Sequence, residues 1–487
     1  MATFITEDFL LTNRPAVELY HQFAEPQPII DYHCHVPAQE IAEDRRFANM
    51  TQIWLAGDHY KWRAMRAAGV PELLITGDAS DWEKFHAWSE VVPKTIRNPL
   101  YHWTHMELKR PLGISDLLLN EATAKSVWNR CNRLLADQNF SARGIIRQMH
   151  VKAICTTDDP ADSLEHHAAI RADSACPVVV APAFRADNAL KIEGGSCFTA
   201  YLRRLEQASN KSIGSFQQFI DVLAARHEYF HGLGCRLSDY GLETVFAEDY
   251  TEREVESIFQ SAISGKTVDT ASVLKFRSAV LWELCLLNST RGWVQQFHLG
   301  ALRNVNPRAF RELGPDTGFD TMGRFDIVGP LAKLLGKLEN RGALAKTIIY
   351  NSNPADNEVI ASLTNSFQDG LLPGKIQYGS AWWFMDQKDG IERQLNALSN
   401  MGLISQFIGM LTDSRSLLSY SRHDYFRRVL CSLLGSDMEN GLLPNDFELI
   451  GDMVEKICYG NALEYFDFVN SESLSAEATL AAPTSKT

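Results

Sequence analysis

Eight short apolar runs, each closing on polar residues, constrain the fold of this chain more than any other feature of its sequence. They are PIIDYHCH (28–35), VKAICTTDD (151–159), PVVVAPAFR (177–185), GCRLSDY (234–240), WVQQFHLG (293–300), KTIIYNSN (346–353), KIQYGSAWW (375–383) and SQFIGMLTDSR (405–415). Near-continuous apolar strands of this kind are buried on both faces, as in a parallel sheet. Most intervals between the runs hold a helix. FQQFIDVLAARHEYFHGLG before the fourth run and DIVGPLAKLLGKLENRGALA before the sixth carry apolar residues at three-and-four spacing and end near glycine. Eight such units predict an α/β chain closed into a (β/α)8 barrel rather than an open sheet. The first interval, 36–150, is too long for one helix and is rich in Trp, His and charge. It reads as a helical insertion over the barrel mouth. One barrel domain is expected over 1–469, followed at 470–487 by a mobile tail whose residues are small, polar and poor in aromatics.

Charge and cysteine usage narrow the class of partner. A net charge of -13, from 47 basic and 60 acidic residues, argues against a nucleic-acid or anionic-membrane surface. An anionic small molecule stays accessible, because well-placed arginines outweigh a diffuse negative field at short range. The nine cysteines are dispersed without a CxxC pair, which suits reduced thiols in a cytoplasm. The N-terminus lacks a basic-then-apolar signal pattern, and no apolar run approaches the roughly 18 residues of a membrane span. The expectation is a cytoplasmic protein acting on a small molecule, with self-association into a homo-oligomer left open.

In a barrel of this kind the active site forms at the C-terminal ends of the strands. Those ends supply His33 and His35, Thr156 to Asp159, Arg185, Asp239, His298, Asn351 and Asn353, Trp382 and Trp383, and Asp413 with Arg415. Strand alternation points His33 and His35 to the same side. Two imidazoles with a carboxylate suit zinc or a similar divalent ion, with His298 and Asp413 completing the set. Asn351 and Asn353 beside Pro354 read as a turn. HEYFH at 227–231 fits the zinc-protease pattern HExxH. It lies at the end of a helix leading into the fourth run, so it belongs to the opposite end of the barrel. His102, His105, His166 and His167 have no partner pattern and are expected on the surface or in the insertion.

The segments DYHCH, DHYKWRAMR (58–66), PAFR, FHLGA, NSNP, WWF and LTDSRS resemble the motifs of uronate isomerases, a branch of the amidohydrolase superfamily. HxH is generic to that superfamily; DHYKWRAMR and LTDSRS are much more diagnostic. The resemblance implies a barrel of the metal-dependent hydrolase kind that interconverts D-glucuronate with D-fructuronate, and D-galacturonate with D-tagaturonate, by aldose–ketose proton transfer. It implies a divalent metal, zinc by preference, on His33, His35, His298 and Asp413. It further implies catalytic roles for Asp413, Tyr60 and Arg415, and substrate contacts from Arg185, Trp382 and His59. Tyr240 stands in SDYGL where relatives are expected to carry SDHGL. The competing reading is a metal-dependent hydrolase of the same superfamily. A two-metal hydrolase usually wants a bridging Lys or Glu at the fourth strand end, where this chain has Ser238, Asp239 and Tyr240.

Overall fold

The structure, a computed structural model, describes residues 4–468. The expected tail, 470–487, lies outside the described residues. Ten strands are present among the described residues: β1 (Ile29–Asp31), β2 (Val151–Cys155), β3 (Val179–Ala181), β4 (Phe184–Arg185), β5 (Leu237–Leu242), β6 (Val294–Leu299), β7 (Ala301–Leu302), β8 (Thr321–Met322), β9 (Thr347–Asn351) and β10 (Ile376–Tyr378). Two parallel sheets have the orders β1-β2-β3 and β10-β9-β6-β5-β4, and β7 and β8 form a small antiparallel pair.

Seven of the eight apolar runs contain a strand of the two parallel sheets. The third run contains two, because Pro182 has no N–H to donate and breaks the ladder between β3 and β4. β3 pairs with β2 and β4 pairs with β5, so this run links the sheets. The Asp158–Phe184 bridge continues the contact past β2, with the Arg185 N–H donating to the Asp158 carbonyl at 2.8 Å.

The eighth run is not a regular strand. Gly409 has φ +78°, a conformation that an extended ladder does not tolerate. The run nevertheless lies along the first one. Asp413 N–H donates to the His33 carbonyl at 3.2 Å, and His35 N–H donates to the Ser414 carbonyl at 2.9 Å. The Asp31 carboxylate takes the place of a ladder partner by accepting from the Thr412 N–H at 2.8 Å.

Between β1 and β2 every regular element is helical. Asp58 caps the helix His59–Ala67 by accepting from the Lys61 N–H at 3.0 Å, which sets His59 and Tyr60 in its first turn. Trp54, Phe85 and Trp88 are fully buried in this segment. Among the described residues no helix is long and apolar enough to cross a membrane.

Candidate functional site

The ends of β1, β5, β6 and the eighth run converge on one group of imidazoles and carboxylates. His33 and His35 lie two and four residues beyond the last residue of β1, in extended chain rather than within the strand. The Cys34 N–H donates to the Cys155 carbonyl at 3.0 Å, so the ladder contact still directs both imidazoles the same way. His33 Nε2 is 3.2 Å and His35 Nε2 is 3.0 Å from the same oxygen, Asp413 Oδ1. The other oxygen, Oδ2, accepts from Trp382 Nε1–H at 2.9 Å. Asp413 holds φ +46° and Trp383 holds φ +49°. A left-handed tryptophan is a strained conformation of the kind that collects at functional sites.

A second carboxylate lies beneath the first. Asp239 is fully buried, with Oδ1 2.7 Å from His298 Nδ1 and Oδ2 3.7 Å from His33 Nδ1. Arg185 donates to Asp239 at 2.8 Å and through Nε to Asp187 at 2.8 Å. Burial opposes the charge on Asp239, but Arg185, His298 and His33 together hold its carboxyl well below the usual range. Burial pulls the His298 imidazole down to about 4, leaving it neutral and able to act as a ligand. Its ring stacks on Tyr350 at 4.2 Å.

Two nitrogens show what this group suits. His298 Nε2 and His33 Nδ1 are buried and have no hydrogen-bond partner among the described residues. Buried polar atoms are rarely left so. His33, His35 and Asp413 present ligand atoms within metal-binding range of one another, and so do His33, Asp239 and His298. Imidazole nitrogens with carboxylate oxygens are a donor set for zinc or a similar divalent ion. The residues present therefore fit a metal.

These groups open into a cleft of about 470 Å³, a volume in the range of small-molecule sites. His59, Arg185, Trp382, Trp383 and Arg415 all line it. Arg185 presents less of its fork than the sequence suggested. Two of its nitrogens are engaged by carboxylates, and a Cβ at Gly241 would overlap the third, Nη2. Arg415 is freer, with weak contacts to the Gly57 carbonyl at 3.4 Å and Asp316 at 3.9 Å. Tyr60 is not part of the cleft lining; its hydroxyl donates to Asp386 at 3.0 Å. Burial, with Arg415 adding to it, holds His59 down at about 4.

Several cleft residues escaped the sequence reading. Arg303 lies past β6 with its guanidinium 5.3 Å from the Trp383 ring centroid, and nothing but that position marks it. Asp187 was visible only as the residue two after Arg185. Asp239 was seen at its strand end, but not as the partner of His298. His167 is corrected outright. It is 3 % exposed rather than on the surface, and its Nε2 lies 2.8 Å from the Thr156 hydroxyl, which donates to Asp158 at the cleft wall. His167 shares the buried face of its short helix with Ile170, three residues on, and the adjacent His166 hid that face. Asn353 caps the turn Pro354–Asp356, as expected. The HExxH histidines lie away from the cleft: His227 stacks on Trp293 at 3.5 Å, and His231 accepts from the Trp293 indole at 3.0 Å. Tyr240 also points away from Asp239, stacking on Phe297 with its hydroxyl 3.4 Å from Asn288.

Comparison with known proteins agrees with this geometry. The family model for glucuronate isomerase matches residues 1–466. The uronate isomerase of Cellvibrio japonicus is 53% identical over 470 residues, covering 96% of this chain and 100% of that protein. The uronate isomerase of Bacteroides fragilis is 52% identical with the same coverage, 96% and 100%. Among solved structures, uronate isomerase from Thermotoga maritima matches with a TM-score of 0.89 at 31% identity, over 96% of this chain and 100% of that one. Glucuronate isomerase from Caulobacter crescentus shares the fold, with a TM-score of 0.87 at 24% identity over 96% and 97% of the two chains. With a family match over nearly its whole length and relatives more than half identical from end to end, this chain belongs to the glucuronate isomerase family.

Proposed function

We propose that this chain interconverts D-glucuronate with D-fructuronate, and D-galacturonate with D-tagaturonate, by moving a proton between C2 and C1 of the open-chain sugar. The balance is internal: the C2 hydrogen passes to C1, the C2 hydroxyl loses its proton to the former aldehyde oxygen, and no water is consumed. The observation that carries this reading is Asp413, whose carboxylate is gripped by His33, His35 and Trp382 at the floor of the cleft. A carboxylate so oriented can lift the C2 proton and return it to C1. His33, His35 and Asp413, with His298, would hold a divalent ion, zinc in our reading, which when bound polarises a sugar oxygen.

The remaining roles follow from what each side chain has free. Arg185 orients Asp239, which in turn fixes the His298 ring. Arg415 and Arg303 keep donors for the substrate carboxylate, and an arginine fork matches a carboxylate in two bonds. Trp382 offers its indole face to the sugar, and His59 borders it from the helix His59–Ala67. Tyr60 serves as the proton donor to the developing enediol once substrate draws it inward.

In the same reading the two sheets and the eighth run form one (β/α)8 barrel of the metal-dependent hydrolase kind. Residues 36–150 cover its mouth, and a single domain extends to 469. The enzyme then works in the cytoplasm on a small anionic sugar. The competing hydrolase reading is not favoured by the relatives, which are uronate isomerases. Incubation with glucuronate or galacturonate, followed by carbon NMR, tests the proposal. A new ketone signal at C2 is expected; unchanged aldoses with metal-loaded enzyme would refute it.

A further inference from the structure

Asp386 takes no part in the chemistry proposed above, yet it is buried and accepts the Tyr60 hydroxyl proton at 3.0 Å. It closes the loop that begins with Trp382 and Trp383. One end of that loop therefore donates to Asp413 Oδ2 from Trp382, while the other end receives Tyr60. The loop is braced from behind by Arg422, itself buried on the helix Ser421–Glu439. Arg422 Nη1 is 3.3 Å from Asp386 Oδ2 and donates to the Thr412 carbonyl at 2.8 Å, one residue before Asp413. Its guanidinium also lies over the Tyr60 ring at 5.0 Å and the Trp103 ring at 4.5 Å. A single short loop and a single arginine thus tie together the two groups assigned to proton transfer.

We infer that Asp386, anchored by Arg422, is a positioning residue that sets the Tyr60 hydroxyl against Asp413 for proton transfer. The inference rests on the reading that Tyr60 acts on the substrate. A phenol has one hydrogen, so Asp386 holds the Tyr60 hydroxyl ready and fixes where its oxygen waits until substrate displaces Asp386 as the acceptor. Burial pushes the Asp386 carboxyl up to about 7 against the pull of Arg422, so it is a stronger acceptor than an ordinary carboxylate. Among the described residues Asp386 is the carboxylate within ion-pair distance of Arg422, with Asp58 and Glu107 acting on it from farther away.

A double-mutant cycle of Tyr60→Phe and Asp386→Asn decides the matter, with kcat and KM for glucuronate measured alongside melting temperature and bound metal. Asp386→Asn is expected to lower kcat by about tenfold or more, with KM held within about threefold, because general acid–base groups act on the chemical step. In the Tyr60→Phe background the same change should cost less than about twofold, since residues that act through one another are not additive. An equal loss in both backgrounds would show a general structural role and overturn the inference, as would full kcat in the single Asp386 variant. Full kcat in Tyr60→Phe would instead remove the Tyr60 reading itself. If Asp386→Asn fails to fold, Asp386→Glu keeps the charge, displaces the carboxylate by one methylene and completes the same cycle.

Discussion

Two buried charge clusters flank one cleft, and they are built on opposite principles. The cluster at the strand ends joins Asp239 and Asp413 to three histidines, and two of those imidazoles keep a nitrogen with no partner. The cluster on the helical side joins carboxylates to cations. Lys61 Nζ lies 2.5 Å from Asp58 and 3.4 Å from Glu107, and Arg422 lies 3.3 Å from Asp386. Lysine and arginine donate and cannot ligate a metal, whereas neutral imidazoles can. The first cluster is open to a further partner. The second is closed on itself, and its effect on the reaction passes through what it positions.

That contrast can be broken at either end. The largest effect is expected for Asp413→Asn, which removes the negative charge and the base shared by His33 and His35. Activity should fall by about 10³-fold or more, within the range of general acid–base catalysis, and metal analysis should show weakened binding. Lys61→Met should act on the other cluster alone. It leaves two buried carboxylates without their cation, which costs about 3–5 kcal/mol in comparable sites. Denaturant unfolding should register that loss while metal affinity stays at the wild-type value. A parallel loss of metal would merge the two clusters into one.

Arg185→Lys sharpens the comparison further. If Arg185 supports Asp239, the variant should lose about 10–100-fold in metal affinity or kcat, the range for groups that orient ligands. A rise in KM with metal retained would return Arg185 to the substrate. The smallest effect is expected for Tyr240→His. The side chain faces Phe297 and Asn288, so kinetic constants should change by about twofold or less, with a stability change near the 1 kcal/mol typical of single substitutions.

The open cluster was legible in the sequence because its members close apolar runs. A polar residue closing an apolar run is a local signal, and His33, His35, His298 and Asp413 each carry it. Seven runs became strands for the same reason: burial on both faces demands continuous apolar residues. The eighth shows the limit. Its composition matches the others, but Gly409 and the Asp31 carboxylate interrupt the ladder in a way that no periodicity encodes. The closed cluster was illegible for a different reason. Asp58, Glu107, Asp386 and Arg422 are widely separated in sequence and lie on helices and loops, where a charged residue ordinarily faces water. Tyr60 could be singled out only through DHYKWRAMR, and nothing in that segment points to Asp386 as its acceptor. Arg185 was found at its strand end, but nothing in the sequence shows that Asp187 and Asp239 compete with a substrate for the same fork.

The most direct test of the central claim is to run the metal-loaded enzyme on glucuronate in heavy water and follow mass and deuterium position. A ketose isomeric with glucuronate is expected, its carbonyl at C2 and no water added, carrying deuterium at C1 where the proton held by Asp413 has exchanged with solvent. Glucuronate recovered unchanged, alongside water-consuming cleavage of its lactone or an ester by the same site, would contradict it.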